Sequence, residues 1–160
     1  MGRGRRPVWR RRREHGVNTI SQTAEYALRA VVCLAADRDR PMTAREIAEV
    51  TRVPADYLSK VLQTLVRAGI VLSRRGIGGG FTLRRAPEDV TILDVVNAVD
   101  PIQRIRECPL HLEAHRHTLC PLHRRLDEAM AAIEASLGRT TLAEIMSDPS
   151  DPPPLGPHEA

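Results

Sequence analysis

Aromatic residues are almost missing from this 160-residue chain: Trp9, Tyr26, Tyr57 and Phe81 are all it has. Its core must come from Leu, Ile, Val and Ala, which favours helices over a sheet built on large rings. No apolar run approaches the roughly 18 residues that a bilayer span requires, so no membrane partner is expected. Three cysteines (Cys33, Cys108 and Cys120) are too few and too unevenly placed for the disulfide framework of a small secreted domain. The arginine-rich start lacks the apolar segment and small-residue cleavage site of a secretory signal, and a cytoplasmic location is the expectation. A P-loop, a dinucleotide fingerprint and a Ser/His/Asp set are also absent, so no enzyme is expected.

What the chain does have is charge, unevenly distributed. Its net charge is +4. Residues 1–16 hold seven arginines and one glutamate, and residues 38–85 hold ten basic and four acidic side chains. Residues 86–160 reverse the sign, with six basic and thirteen acidic. A basic block of that size points to a polyanion, most often double-stranded DNA. With 42% hydrophobic residues the rest can still form a core.

The organisation follows from local signals. Residues 1–17 read as a basic disordered tail or a mis-called start, since Val17 directly precedes the first periodic segment. From Ser21 to about Ala36, apolar residues recur at helical spacing. Thr43 and Glu46 form a capping box that opens a short helix to about Val50, followed by a turn at Thr51–Val53. Pro54 suits the first turn of a third helix, whose buried stripe is Leu58, Val61, Leu62, Leu65 and Val66, with Gly69 as its stop. Strands over 70–75 and 81–84 flank the glycine cluster Gly76–Gly80. A short helix runs from Thr91 to about Val99, a loop covers 100–118, and a long helix runs from Pro121 to Leu137 with Gly138 as its stop. Its apolar seam of Leu122, Leu126, Met130, Ile133 and Leu137 suits pairing with a second copy. Thr141 caps a last short helix, and residues 147–160 read as a disordered tail.

Helix, short helix, tight turn, helix and glycine-tipped hairpin is the order of a winged helix-turn-helix. The predicted fold is therefore mainly α with a small β-hairpin wing: a DNA-binding domain over 18–86, and a sensor loop with dimerisation helices over 87–146. The third helix buries one face and leaves the other free for a major groove. The candidate DNA contacts are Asp56, Tyr57, Ser59, Lys60 and Gln63 on that helix, with Arg74, Arg75 and Gly78 in the wing. Arg84 and Arg85 close the wing. A winged-helix module that reads another protein is the alternative.

Four stretches together carry a family resemblance: Ile20-Ser-Gln-Thr-Ala-Glu-Tyr-Ala-Leu-Arg29, Val53-Pro-Ala-Asp-Tyr-Leu-Ser-Lys-Val-Leu62, Leu65-Val-Arg-Ala-Gly-Ile-Val71 and Arg75-Gly-Ile-Gly-Gly-Gly-Phe81. They resemble the IscR/NsrR-type (Rrf family) winged-helix transcriptional regulators over about Ile20 to Ile145. The resemblance implies a homodimer built on the long C-terminal helix, a palindromic operator and, usually, repression.

A second constellation lies in the 100–118 loop and the helix start that follows. The tetrapeptide Cys-Pro-Leu-His occurs twice, at Cys108–His111 and Cys120–His123, with His115 and His117 between. Thiolates and imidazoles at this density suit iron–sulfur clusters and zinc alike. In cluster-binding members of the resembled family three cysteines sit at six-residue intervals. Cys108 and Cys120 match the outer two, and Ala114 stands at the middle one. The resemblance then implies a 2Fe-2S cluster held by Cys108, Cys120, His123 and Glu25 of the partner subunit. Zinc on Cys108, His111, Cys120 and His123, a metal-free Cys108–Cys120 thiol switch, and a loop with no sensing role remain as alternatives. Cys33, inside an apolar helix, reads as a buried small hydrophobe.

Overall fold

The computed structural model describes residues 20–38, 40–108 and 118–149. The tails at 1–17 and 150–160, and His111, Ala114, His115 and His117, lie outside the described residues.

Helix α1 (Gln22–Ala36) starts where Ser21 Oγ accepts the Ala24 N–H at 3.2 Å. Its inner face is Ala24, Ala27, Ala30, Val31 and Leu34, all buried. Small residues on that face bring α1 against α2 (Ala44–Thr51), α3 (Ala55–Arg67) and α4 (Ile92–Val99). The capping box expected at α2 is present. Thr43 Oγ1 accepts the Glu46 N–H at 3.2 Å, and the Glu46 carboxylate accepts the Thr43 N–H at 2.7 Å. Thr51 is helical, one residue past the expected end, because its hydroxyl donates to Ile47 O at 2.6 Å inside the core. The chain then turns on Arg52, in the left-handed region at φ 56, before Val53 re-enters the core. Pro54 is the N-cap of α3, one position earlier than expected, and Gly69 ends the helix at φ 74.

Strands β1 (Val71–Arg74) and β2 (Gly80–Leu83) pair antiparallel, with Val71 opposite Leu83 and Arg74 opposite Gly80. The first is two residues shorter than the sequence suggests and the second starts one residue earlier, at Gly80, and the wing has a third participant. Met42 pairs with Phe81, Met42 N–H donating to Phe81 O at 3.0 Å and Phe81 N–H to Met42 O at 2.7 Å. Gly80 is needed for that approach, since a Cβ there would sit 2.6 Å from Met42 O.

After a 3-10 turn at Pro87–Asp89, Thr91 and Asp94 form a capping box for α4. Helix α5 spans Pro121–Arg139, so Gly138 lies inside the helix rather than ending it. The glycine is there because Leu93 packs on it: a Cβ would meet the Leu93 side chain at 3.2 Å. Helix α6 (Leu142–Ser147) has its own capping box, Thr141 with Glu144. A bridge between Thr91 and Thr141 fastens α6 back to the start of α4, with Ile92 N–H donating to Thr140 O and Leu142 N–H to Val90 O, both at 2.9 Å. Cys33 is buried as expected, and burial raises its thiol to about 11.

Hydrogen bonds from the Thr43 backbone and hydroxyl, with help from Arg40, hold the Glu46 carboxyl at about 2, below its ordinary 4.5. A carboxyl depressed by folding stabilises the fold above its ordinary value and loses that contribution as pH falls toward about 2. Glu46→Gln keeps an acceptor but not the charge. Urea denaturation of the variant is expected to depend less on pH between about 4.5 and 2 than that of the parent.

Candidate nucleic-acid interface and cysteine–histidine corner

Helix α3 divides cleanly. Leu58, Val61, Leu62 and Leu65 are buried, while Asp56, Ser59, Lys60 and Gln63, at spacings of three and four, share the exposed face. Asp56 lies in the first turn, where the helix dipole favours a carboxylate. Ser59 Oγ donates back to Ala55 O at 3.0 Å, and Thr64 Oγ1 to Lys60 O at 3.2 Å. Both are internal helix contacts that leave Lys60 and Gln63 directed outward.

Tyr57 is exposed but not idle. Its hydroxyl lies 2.5 Å from Thr23 Oγ1, and its ring meets Tyr26 edge-on with centroids 5.6 Å apart. These contacts brace α3 against α1. On the same side of α1, Arg29 pairs with Glu25 at 2.6 Å and donates to Thr51 O at 3.1 Å. The end of α2 and the start of α3 are thus both held by α1.

In the wing, Arg74 and Arg75 are exposed beside the turn Gly76–Gly79, which is closed by Gly79 N–H donating to Gly76 O at 2.9 Å. Gly78, at φ 72, supplies the left-handed residue of that turn. Arg84 is exposed at the wing base. Arg85 does not serve the wing: it donates to Asp89 O at 3.0 Å and pairs with Asp94 at 3.4 Å, which ties it to α4.

On the other half of the chain, residues twelve and fifteen positions apart meet. Cys108 is buried, Cys120 is the N-cap of α5, and His123 lies in its first turn. Cys120 Sγ is 3.3 Å and Cys108 Sγ 3.9 Å from His123 Nδ1. Three of the expected ligand residues are therefore neighbours. Among the described residues no group of three or more Cys, His, Asp or Glu is disposed around one ion-sized point. Glu25, on α1, is engaged with Arg29. His111 lies outside the described residues.

A feature the sequence did not announce holds this corner to α5. Arg104 reaches Asp127 through two hydrogen bonds of 2.6 and 2.7 Å, and Glu134 at 3.0 Å. Asp127 also accepts the Ile105 N–H at 2.9 Å. The hydrogen bonds with Arg104 hold the Asp127 carboxyl below its ordinary range and raise the guanidinium above its own. Separations of 23 and 30 residues leave no local pattern by which this network could be read in advance. The expected α5 seam is only partly covered: Leu122 and Leu126 are exposed, whereas Leu137 packs against the cluster of Ala24, Ile92 and Val96.

Residues 20–148 match the family described as "Rrf2: Iron-dependent Transcriptional regulator". The chain is 31% identical over 139 residues to the HTH-type transcriptional repressor NsrR of Streptomyces coelicolor, covering 86% of this chain and 94% of that one. It is also 31% identical over 138 residues to the HTH-type transcriptional regulator NsrR of Bacillus subtilis, covering 82% and 92%. Among solved structures, T. potens IscR has the same fold, with a TM-score of 0.68 at 24% identity over 84% of this chain and 90% of that one, and B. subtilis CymR has a TM-score of 0.66 at 24% identity over 81% of this chain and 96% of that one. Among the described residues no helix is long and apolar enough to cross a membrane.

If Arg104 is what holds the 102–108 segment to α5, Arg104→Ala is expected to speed hydrogen exchange at the Ile105 amide several-fold while helical circular dichroism stays unchanged. Unchanged exchange at Ile105 would show that the segment is held by other contacts.

Proposed function

Because the chain belongs to the Rrf2 family of DNA-binding transcriptional regulators, we propose that it acts as a homodimeric repressor on a palindromic operator and senses redox, nitric oxide or iron status through Cys108, Cys120 and His123. The observation that carries the DNA-reading part is the exposed face of α3, with Asp56, Ser59, Lys60 and Gln63 beside a wing bearing Arg74, Arg75 and Gly78. Lys60 and Gln63 reach base edges in the major groove, and the wing arginines sit on phosphates. Tyr57 sets the angle of α3 through Thr23 and Tyr26. Repression is supported by the Streptomyces relative, a transcriptional repressor.

Residues 18–86 form the reading domain and 87–146 the sensing and pairing part. The exposed Leu122 and Leu126 on α5 support pairing with a second copy.

The donor set at the corner fits a 2Fe-2S cluster: two thiols and an imidazole come together at the start of α5. Cys108, Cys120 and His123 would hold it, with Glu25 of the partner subunit as the fourth ligand. Mixed sulfur and imidazole ligation of a two-iron centre is chemically sound. When bound, such a cluster would add iron chemistry toward oxidants and nitric oxide to that of the thiols themselves. Arg104 keeps the Cys108 segment against α5, so a change at the thiols reaches the helix that pairs the two copies.

Protein prepared without oxygen is expected to carry iron and sulfide in equal amounts with visible absorption, both lost in Cys108→Ala and in Cys120→Ala. Colourless, iron-free protein that still binds its operator overturns the cluster, and zinc in its place supports the zinc site instead. For the reading face, Lys60→Ala is expected to weaken binding to a palindromic duplex from the chain's own upstream region by about 1–3 kcal/mol, measured by titration at fixed salt. Binding by the parent protein that ignores both salt and sequence would overturn the regulator reading.

A further inference from the structure

The wing tip carries one side chain that the fold does not use. Ile77 is 110% exposed relative to an extended reference, the highest value among the exposed large apolar residues. It occupies the first central position of the Gly76–Gly79 turn, where proline or a polar residue is usual and where burial is impossible within one subunit. Its neighbours Gly76 and Gly78 hold left-handed conformations at φ 95 and 72, and a Cβ at either would meet nothing within 4 Å. Gly79 has no room for a side chain, because one would strike Arg74 O. The tip is therefore a bare-backbone blade, fixed by its turn, with a single branched aliphatic group at its end. Arg74 and Arg75 stand exposed behind it.

We propose that Ile77 is a minor-groove wedge, an inference that rests on the reading of α3 and the wing as the DNA interface. The B-DNA minor groove is only about 6 Å wide, and a blade without side chains on its flanks is what fits. Apolar groups of this kind enter between base steps, unstack them and bend the duplex toward the major groove. Arg74 and Arg75 then lie along the groove walls, where their charges meet phosphates and draw the tip inward. The steps that yield most easily are pyrimidine–purine steps such as TA and CA. Ile77 thereby selects for deformability at positions where α3 makes no base contact. Lone exposed aliphatics are common on protein surfaces. This one differs in being held rigidly at the tip of a cationic hairpin, in a chain segment with a net positive charge.

The test uses the full chain and duplexes selected from a random library, then resynthesised with 2-aminopurine at the step flanking each half-site. The parent protein is expected to enrich a TA or CA step there and to raise 2-aminopurine fluorescence on binding. Ile77→Ala, at a fully exposed position that the core does not touch, is expected to bind roughly tenfold or more weakly, the loss expected for most of one buried aliphatic side chain. It should give no fluorescence rise, keep the same salt slope and keep the same α3 half-site. Ile77→Leu should restore both affinity and fluorescence. If Ile77→Ala binds and brightens the duplex as the parent does, the wedge is overturned and the α3 interface stands. If the parent selects no duplex at all, the underlying DNA reading fails and the wedge fails with it.

Discussion

The close approach of α1 to its neighbours is the constraint on which the rest of the structure depends. With almost no aromatic side chains to fill space, the core is made by bringing helices together over alanine. Ala24, Ala27 and Ala30 are completely buried and admit α2, α3, α4, α6 and the wing strand β2 around one helix. Close-packed interiors tolerate little displacement, so this arrangement fixes angles as well as distances. The other side of α1 uses that rigidity: Thr23 and Tyr26 steady Tyr57 at the start of α3, and Arg29 holds the carbonyl of Thr51 at the end of α2. The same helix packs on α4 and α6, so the two halves of the molecule share one mechanical reference.

Charge is divided along the same line. The basic segment spans α2, α3 and the wing, and acidic residues predominate from 86 onward. Within the acidic half, Arg104 is an exception with a purpose: it joins Asp127 and Glu134 on α5, and the shared carboxylate of Asp127 also takes the Ile105 N–H. Isolated surface ion pairs contribute little. Here the pairing is bidentate, part of a network and tied to the backbone, which makes it a positioning device rather than a surface ornament.

Features governed by neighbours in sequence were legible before the structure. The apolar stripe of α3, the caps at Thr43 and Thr141, the stop at Gly69 and the burial of Cys33 all follow from spacing or local chemistry. Features governed by distant partners were not. Gly138 looks like a helix stop until Leu93 is seen lying on it, and Arg85 looks like part of the wing until Asp94 takes it. Met42 has no strand pattern of its own and joins the wing only through Phe81. At the site, the repeated Cys-Pro-Leu-His and the family resemblance suggested that Cys108 and Cys120 belong together. Their meeting at His123 is accompanied by the Arg104 network on α5, which no periodicity encodes.

The bridge between Thr91 and Thr141 has a consequence for how such a chain can evolve. Backbone bonds from Ile92 to Thr140 and from Leu142 to Val90 close a ring whose contents are everything from α4 through α5. Both ends of that insert are stitched to each other beside α1. Its length can change cheaply, since doubling a flexible loop adds only about 0.6 kcal/mol of closure cost. Not every residue within it is free to change, because Ile92, Val95 and Val96 of α4 are buried and Ala24 of α1 packs with Ile92 and Val96. Within the ring, α4 belongs to the fixed chassis with α1, while α5, which has no buried residue, is the surface where substitution costs the fold least.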